Sequence, residues 1–306
     1  MALILRKGLS LTGNIEDYPQ GIIIPVDKPY RWTSADVIRK IKFTAVRHFG
    51  KRDLKVGHAG TLDPLATGVL LVCIGAATRL AESLQKEGKE YLAGIAFGAT
   101  TPSFDLEKEI DRIYSYDSVT ETSVRSALEG FIGGQLQVAP LFSAKSVDGV
   151  RAYEMARKAL KSSLKDGTPF DESQAGLLTR QQINISEAEL VSFYPAGPEE
   201  SPSLPATSEN SSVATGISPD GQVIYVRNEE QGPGTRIHIC DNSALGLPHA
   251  LVRIACSKGT YIRAIARDLG EALGTGAHLY ALRRTRSGGF TAASSLTVDE
   301  AIAALN

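Results

Sequence analysis

The sequence predicts an α+β fold with a mixed, largely antiparallel central sheet flanked by helices and loops. Short β-branched runs are interspersed with amphipathic helical stretches. They do not follow the regular strand-helix-strand rhythm that builds a doubly wound parallel sheet. The chain has 306 residues, 42% of them hydrophobic, which is enough to bury a sizeable core. No internal repeat is visible, and a single domain over 1–306 is the expected organisation.

Taken in order, residues 21–29 read as a short buried strand running into a proline-stiffened loop. Thr33-Ser34 caps a helix in which Val37, Ile38, Ile41 and Ala45 recur at helical spacing, with Arg39, Lys40 and Lys42 between them. Residues 69–74 form a strand short and apolar enough to be buried on both faces. A short helix over 76–84 follows, then a strand in which Tyr91, Ala93, Ile95 and Phe97 alternate with mostly small residues. Thr120 caps another helix, with Val124, Leu128 and Phe131 on one face and an end at Gly133-Gly134. Residues 195–221 hold five of the fourteen prolines, many serines and almost no large apolar side chains, and read as a flexible insertion. Strand-like segments flank it at 222–227 and 235–240. A further strand over 250–256 leads through Ser257-Lys258-Gly259 into a helix presenting Ile262, Ile265, Ala266, Leu269 and Leu273 on one face. After Arg286 there is room for a short strand and a helix over 298–305.

Composition narrows the function. No apolar run approaches the roughly 20 residues of a membrane helix, and the start is too brief for the apolar core of a secretory signal. A cytoplasmic protein is expected. Cys73, Cys240 and Cys256 form no paired spacing, and the five histidines show no ligand spacing, so neither disulfides nor a metal are expected. The net charge of −1 hides an asymmetry. Residues 187–242 carry nine acids and two bases; the rest of the chain has 31 Lys and Arg against 25 Asp and Glu, a net of +6. Basic clusters lie at Lys51-Arg52 with Lys55, at Arg151 to Lys165, and at Arg283-Arg284 with Arg286. Such clusters can neutralise phosphates, although any single one is more often a solvated helix face or end.

The most informative stretch is Lys55-Val56-Gly57-His58-Ala59-Gly60-Thr61-Leu62-Asp63-Pro64-Leu65-Ala66-Thr67-Gly68. Glycines and Pro64 shape the backbone, and the apolar strand behind the loop anchors it, so Asp63 is a positioned carboxylate. The competing reading is a turn using Asp and Gly for local hydrogen bonds. A phosphate-binding NTPase loop is rejected, because the Gly-Lys-Ser/Thr ending is missing. Much later, a strand-to-helix loop carries Tyr261 and Arg263. An Asp63–Arg263 pair about 4 Å apart would contribute on the order of 4 kcal/mol at an effective dielectric near 20, holding the acid ionised as nucleophile or base. From spacing alone, a helix-surface arginine is the commoner reading of Arg263.

The chain closely resembles the TruB-type tRNA pseudouridine synthases. The matching pieces are Asp27-Lys28-Pro29, the Gly57 to Gly68 loop, Gly75-Ala76-Ala77-Thr78-Arg79, Lys89-Glu90-Tyr91, and Phe142 to Gly149 with Arg151-Ala152-Tyr153. Ser257 to Arg263 and Gly276-Ala277-His278-Leu279 through Leu282-Arg283-Arg284 complete the set, which spans roughly residues 20 to 290 apart from the insertion. Lys-Gly-Thr-Tyr alone is weak; the ordered set is very specific.

The resemblance implies the pseudouridine synthase fold and isomerisation of the uridine at position 55 in the tRNA T loop. Asp63 would attack ribose C1′ or promote a glycal intermediate, while uracil detaches at N1, rotates and rejoins through C5. It also implies Arg263 as the ion-pair partner of Asp63, and Tyr91 as the ring that stacks on uracil and takes the C5 proton. His58 would fill space near the flipped base, Tyr261 and Leu282 would line the uracil pocket, and Lys28 would support the loops. Residues 142–165 resemble a thumb segment that closes over RNA. Isomerisation needs no cofactor, and extruding the base costs a few kcal/mol that stacking and basic contacts offset. The expected partner is the T stem-loop of tRNA, bound by a monomer without membrane or metal. No C-terminal PUA domain is expected, since only about twenty residues follow Arg286. Other readings are a synthase acting on other RNA stem-loops and an RNA-folding chaperone. A glycoside hydrolase is disfavoured, because no second positioned acid accompanies Asp63.

Overall fold

A computed structural model describes residues 1–143, 146–147, 150–166, 180–197, 213–217, 223–226, 237, 239–240, 242 and 245–306. The strands, in chain order, are β1 (Leu3–Ile4), β2 (Ile22–Lys28), β3 (Val56–Ala59), β4 (Ala66–Ile74), β5 (Lys89–Phe97), β6 (Ala99–Thr100), β7 (Arg112–Ile113) and β8 (Gly133–Gln137). They continue with β9 (Ser146–Val147), β10 (Val150–Arg151), β11 (Gln181–Tyr194), β12 (Val213–Ile217), β13 (Val223–Val226), β14 (His249–Cys256), β15 (Ala277–Ser287) and β16 (Phe290–Thr291). The helices are α1 (Ser34–His48), α2 (Ala81–Lys86), α3 (Glu121–Glu129), α4 (Ala152–Asp166), α5 (Ile262–Ala272) and α6 (Val298–Ala303). The chain divides into two compact units: Met1–Leu92 with Thr215–Ile237 and Leu282–Asn306, and Ala93–Ala214 with His238–Ala281.

The first unit is organised on β4, every residue of which is buried. Along one edge β2 pairs antiparallel with it, from Ile22 opposite Ile74 to Lys28 opposite Gly68. The other edge is shared. Leu282 to Arg284 of β15 lie parallel to Ala66 to Gly68, and β3 takes Leu71 to Ile74 in antiparallel register. Thus β4 begins three residues earlier than its apolar run suggests, because a partner more than 200 residues away covers Ala66 to Gly68. Helix α1 starts with the expected cap: Thr33 and Asp36 exchange side-chain and backbone hydrogen bonds in a capping box. Its buried face holds Val37, Ile41, Thr44 and Ala45.

In the second unit, β8, β11 and β14 are antiparallel neighbours, with two register shifts between β11 and β14. Helix α3 ends at Glu129 with Gly130 as its C-cap, four residues before the expected stop; Gly133 and Gly134 instead open β8. The 14-residue strand β11 is absent from the sequence-based expectation, since its exposed acids and polar residues mask a half-buried alternation. Strand β15 is likewise unexpected, because Arg283, Arg284 and Arg286 obscure a strand whose middle is buried. Helix α4 lies within the thumb-like segment, and Ala152 and Ala156 pack on Ala139, Leu141 and Phe142. Most of the 195–221 insertion lies outside the described residues, although Val213–Ile217 within it form β12. Of the expected 235–240 strand, residues 235, 236 and 238 lie outside and the other three are not in a strand; Ala144, Lys145, Asp148 and Gly149 also lie outside.

Candidate active site

The loop from Gly60 to Leu65 joins β3 to β4 and carries Asp63. Three neighbours hold its backbone. The Ser34 hydroxyl, at the first residue of α1, accepts from the Leu62 N–H at 3.0 Å and donates to the Leu62 carbonyl at 3.2 Å. The Arg284 guanidinium donates to the carbonyls of Val69 at 2.7 Å, Gly60 at 3.0 Å and Thr61 at 3.4 Å. Lys28 Nζ donates to the carbonyls of Trp32 at 2.6 Å, Pro29 at 3.0 Å and Pro64 at 3.2 Å. The carboxylate therefore sits on a short span of chain tethered before it by Arg284 and after it by Lys28. Both cations are buried, and buried ions are tolerated only when their hydrogen-bonding capacity is used.

Arg31 adds a further tether, its N–H donating to the Pro64 carbonyl at 3.0 Å. It does so from a left-handed backbone (φ 62°), a conformation that costs a non-glycine residue on the order of 1 kcal/mol and that clusters at functional sites.

The buried charges set the protonation of this region. Burial lowers the Lys28 pKa from 10.5 to about 7, opposed first by the Asp63 carboxylate, while Arg284 lowers it further and Asp27 and Asp36 raise it. Three carbonyl acceptors match the three N–H bonds of the ammonium, the form that predominates below about pH 7. His58 is half-buried, and burial followed by the Arg284 charge lowers its pKa below 6.5. Its Nδ1 is buried without a hydrogen-bond partner among the described residues. The ring is neutral at pH 7, a space-filling group of low polarity beside the loop. Next to Arg284, Arg283 makes a two-pronged ion pair with Asp27, at 2.7 and 3.1 Å, and reaches Thr67 Oγ1 at 3.4 Å. Arg283 and Arg284, expected among the phosphate-neutralising clusters, are instead buried structural cations.

Two more expected residues belong to this unit. Leu282 is buried on β15 opposite Ala66, and Tyr91 is buried on β5. Two residues before Tyr91, Lys89 is buried and donates to the carbonyls of Gln85 and Glu87, closing the end of α2 and fixing where β5 begins.

Arg263 and Tyr261 belong to the second unit. Arg263, the second residue of α5, is buried and donates to the carbonyls of Phe142 at 2.9 Å and Ser103 at 3.1 Å; its guanidinium lies 3.6 Å from the Asp105 carboxylate. Asp105 also accepts from Ser103 Oγ at 2.6 Å and from the Glu107 N–H at 3.0 Å. Phe104 between them is left-handed, at φ 55°. Arg263 is thus no surface arginine. Tyr261 caps α5, exchanging two hydrogen bonds with the Gln137 amide, and packs against the Leu141–Phe142 cluster on which α4 rests.

Sequence reasoning missed Arg284 and Arg31 as supports of the Asp63 loop, and Asp105 as the carboxylate beside Arg263. A signal existed for the last: Thr101, Ser103 and Asp105 are polar residues closely spaced after a strand, and all are buried. Among the described residues no group of three or more His, Cys, Asp or Glu gathers as metal ligands, and no helix is long and apolar enough to cross a membrane.

Comparison with known proteins gives a consistent picture. Residues 47–170 match the model of the TruB family pseudouridylate synthase N-terminal domain, and residues 263–306 match that of the tRNA pseudouridylate synthase B C-terminal domain. The chain is 39% identical over 283 residues to tRNA pseudouridine synthase B of Phocaeicola vulgatus, covering 92% of each. It is 38% identical to that of Parabacteroides distasonis, covering 93% of each. Among solved structures, an archaeal box H/ACA Nop10–Cbf5 complex shares the fold, with a TM-score of 0.51 at 21% identity over 98% of this chain and 62% of that one.

Proposed function

The chain belongs to the TruB family of pseudouridylate synthases, and on that premise we propose that it isomerises uridine to pseudouridine at position 55 of the tRNA T loop, using Asp63 as the catalytic carboxylate. The observation that carries the reading is the doubly tethered loop, in which Arg284 and Lys28 hold the carbonyls on either side of Asp63. A nucleophile or base fixed in this way needs no reorganisation when the nucleotide arrives.

In this mechanism the uridine leaves the base stack, and Asp63 acts at ribose C1′ as the N1–C1′ bond breaks. Uracil rotates in place, C5 bonds to C1′, and the C5 proton departs. Tyr91 stacks on the ring and takes that proton. Neutral His58 fills space near the flipped base, and Leu282 and Tyr261 line the uracil pocket. Arg263 is the ion-pair partner assigned to Asp63, and Lys28 supports the loop. Atoms balance without a cofactor, since one glycosidic bond replaces another. The protein acts as a cytoplasmic monomer on the T stem-loop, gripped in part by the thumb-like segment over 142–165.

The test is tritium release from an unmodified tRNA transcript labelled at uracil C5. Wild type should release tritium, and Asp63→Asn should release none while still binding RNA. Arg263→Lys should cut turnover severely, because a point charge does not reproduce a guanidinium fork. Absence of release by wild type from any tRNA would overturn the reading.

A further inference from the structure

We propose that the exposed face of α1 is an RNA-binding surface, a basic track that takes the phosphodiester backbone of the substrate as it leaves the Asp63 loop. The proposal rests on the reading of the chain as a tRNA-modifying enzyme, and it concerns a surface outside the residues assigned to the reaction.

Helix α1 is anchored at the loop and runs away from it. Ser34 is bonded to Leu62 in both directions, and Lys28 holds the Trp32 carbonyl just before the cap. From there 15 residues extend for about 22 Å. One side is committed to the core through Val37, Ile41 and Ala45. The other exposes Arg39, Lys40, Lys42 and Arg47, and the connection to β3 adds exposed Arg52 and Lys55. Opposing acid is scarce. Asp36 is buried in the cap, with Arg39 bonded to it at 2.8 Å, and Asp53 is the one exposed acid between Arg39 and Lys55. Lys51 and Arg39 are left out of the track because Glu16 takes the first at 3.0 Å and Asp36 the second at 2.8 Å. In a chain of net charge −1, this concentration is local rather than a property of the whole surface.

An aromatic side chain sits within it. Phe43 is 64% exposed, one turn after Arg39 and one turn before Arg47, whose guanidinium lies 5.7 Å from the ring centroid. An exposed Phe by itself needs no explanation. Among phosphate-binding cations, however, it supplies the flat apolar surface on which an unstacked base or a ribose rests, the combination that single-stranded RNA sites use. Charge complementarity and continuity with the loop favour RNA over an acidic protein.

The experiment measures the affinity of an unmodified tRNA transcript by filter binding between about 50 and 200 mM salt. Each phosphate that the protein no longer neutralises takes about 0.7 to 0.9 from the slope of log affinity against log salt. The triple variant Lys40→Gln, Lys42→Gln, Arg47→Gln should weaken binding about tenfold or more and flatten the slope by about 2 to 3. Phe43→Ala should weaken binding severalfold at an unchanged slope, because stacking releases no counterions. Arg125→Gln on α3, an exposed arginine paired with Glu121, is the control and should leave both quantities in place. Wild-type tritium release is measured alongside, so that failure of the enzymatic reading is seen separately. A folded triple variant with wild-type affinity and slope overturns the proposal. So does loss of heparin binding without change toward tRNA, which would mark the face as a docking site for another polyanion.

Discussion

Gly68 lies against Arg284 so closely that a Cβ on Gly68 would sit 2.2 Å from the Arg284 carbonyl oxygen. Its φ of 98° is also a conformation open to glycine and costly to other residues. The parallel pairing of β4 with β15 and the tether from Arg284 to the Asp63 loop both depend on this approach. Gly68→Ala should therefore destabilise the protein by about 3 kcal/mol or more. Urea unfolding reads the change, and a loss below about 1 kcal/mol would mean that the two strands separate locally at little cost.

Arg284→Lys keeps the charge but cannot reach three carbonyls with the spread of a guanidinium. The loop before Asp63 should loosen, lowering kcat about 10- to 100-fold with little change in KM, because these hydrogen bonds position the carboxylate and touch no substrate. Steady-state tritium release separates the two constants. A rise in KM at constant kcat would instead assign Arg284 to substrate binding.

Lys28 gives a pH dependence whose sign is fixed. Its pKa falls from 10.5 in the unfolded chain to about 7 in the folded one. Below about pH 7 both states hold the proton, and the cost of burying the charge is present in full. Between about 7 and 10.5 the unfolded chain holds more protons, so stability rises with pH. Relative to Lys28→Met, wild type should gain about 2 to 3 kcal/mol between pH 7 and pH 9, measured by urea unfolding at each pH. A difference independent of pH would mean that the folded state leaves the Lys28 pKa at its ordinary value.

Asp105→Asn removes the carboxylate 3.6 Å from the Arg263 guanidinium while preserving volume. With one charge of a buried pair gone, Arg263 should lose its fixed orientation, and single-turnover tritium release should slow about 10- to 100-fold. The Kd for tRNA should be unchanged. A matching loss of RNA affinity would place the effect in binding rather than in the orientation of Arg263.

The Asp63 loop, the cap of α1 and the strands around Ile24, Leu71 and Ile95 are legible in the sequence because their signals are local. A capping box spans four residues, and a buried strand announces itself by its own apolar run. The buried arginines are different. Arg284 acquires its role from carbonyls 223 and 224 positions away, and Arg263 from one 160 positions away. Nothing within a dozen residues of either says whether the guanidinium meets solvent, phosphate or backbone, and for that reason Arg283-Arg284 reads as a phosphate cluster. Strand β11 is hidden by the same limitation: its exposed Glu187 and Glu189 belong to an acidic segment until β14 pairs with it.

The pairing of Gly68 with Arg284 also has a consequence for synthesis. Everything that defines the Asp63 loop locally leaves the ribosome more than 200 residues ahead of the strand that locks it. In that interval the carbonyls of Gly60, Thr61 and Val69 lack their shared donor. A nascent chain thus carries its carboxylate long before it can hold it still. Closing the loop over so long a separation is a late and slow step, by the usual dependence of folding rate on the distance in sequence between partners. The Asp63 loop is locked only after β15 has been made and has found β4.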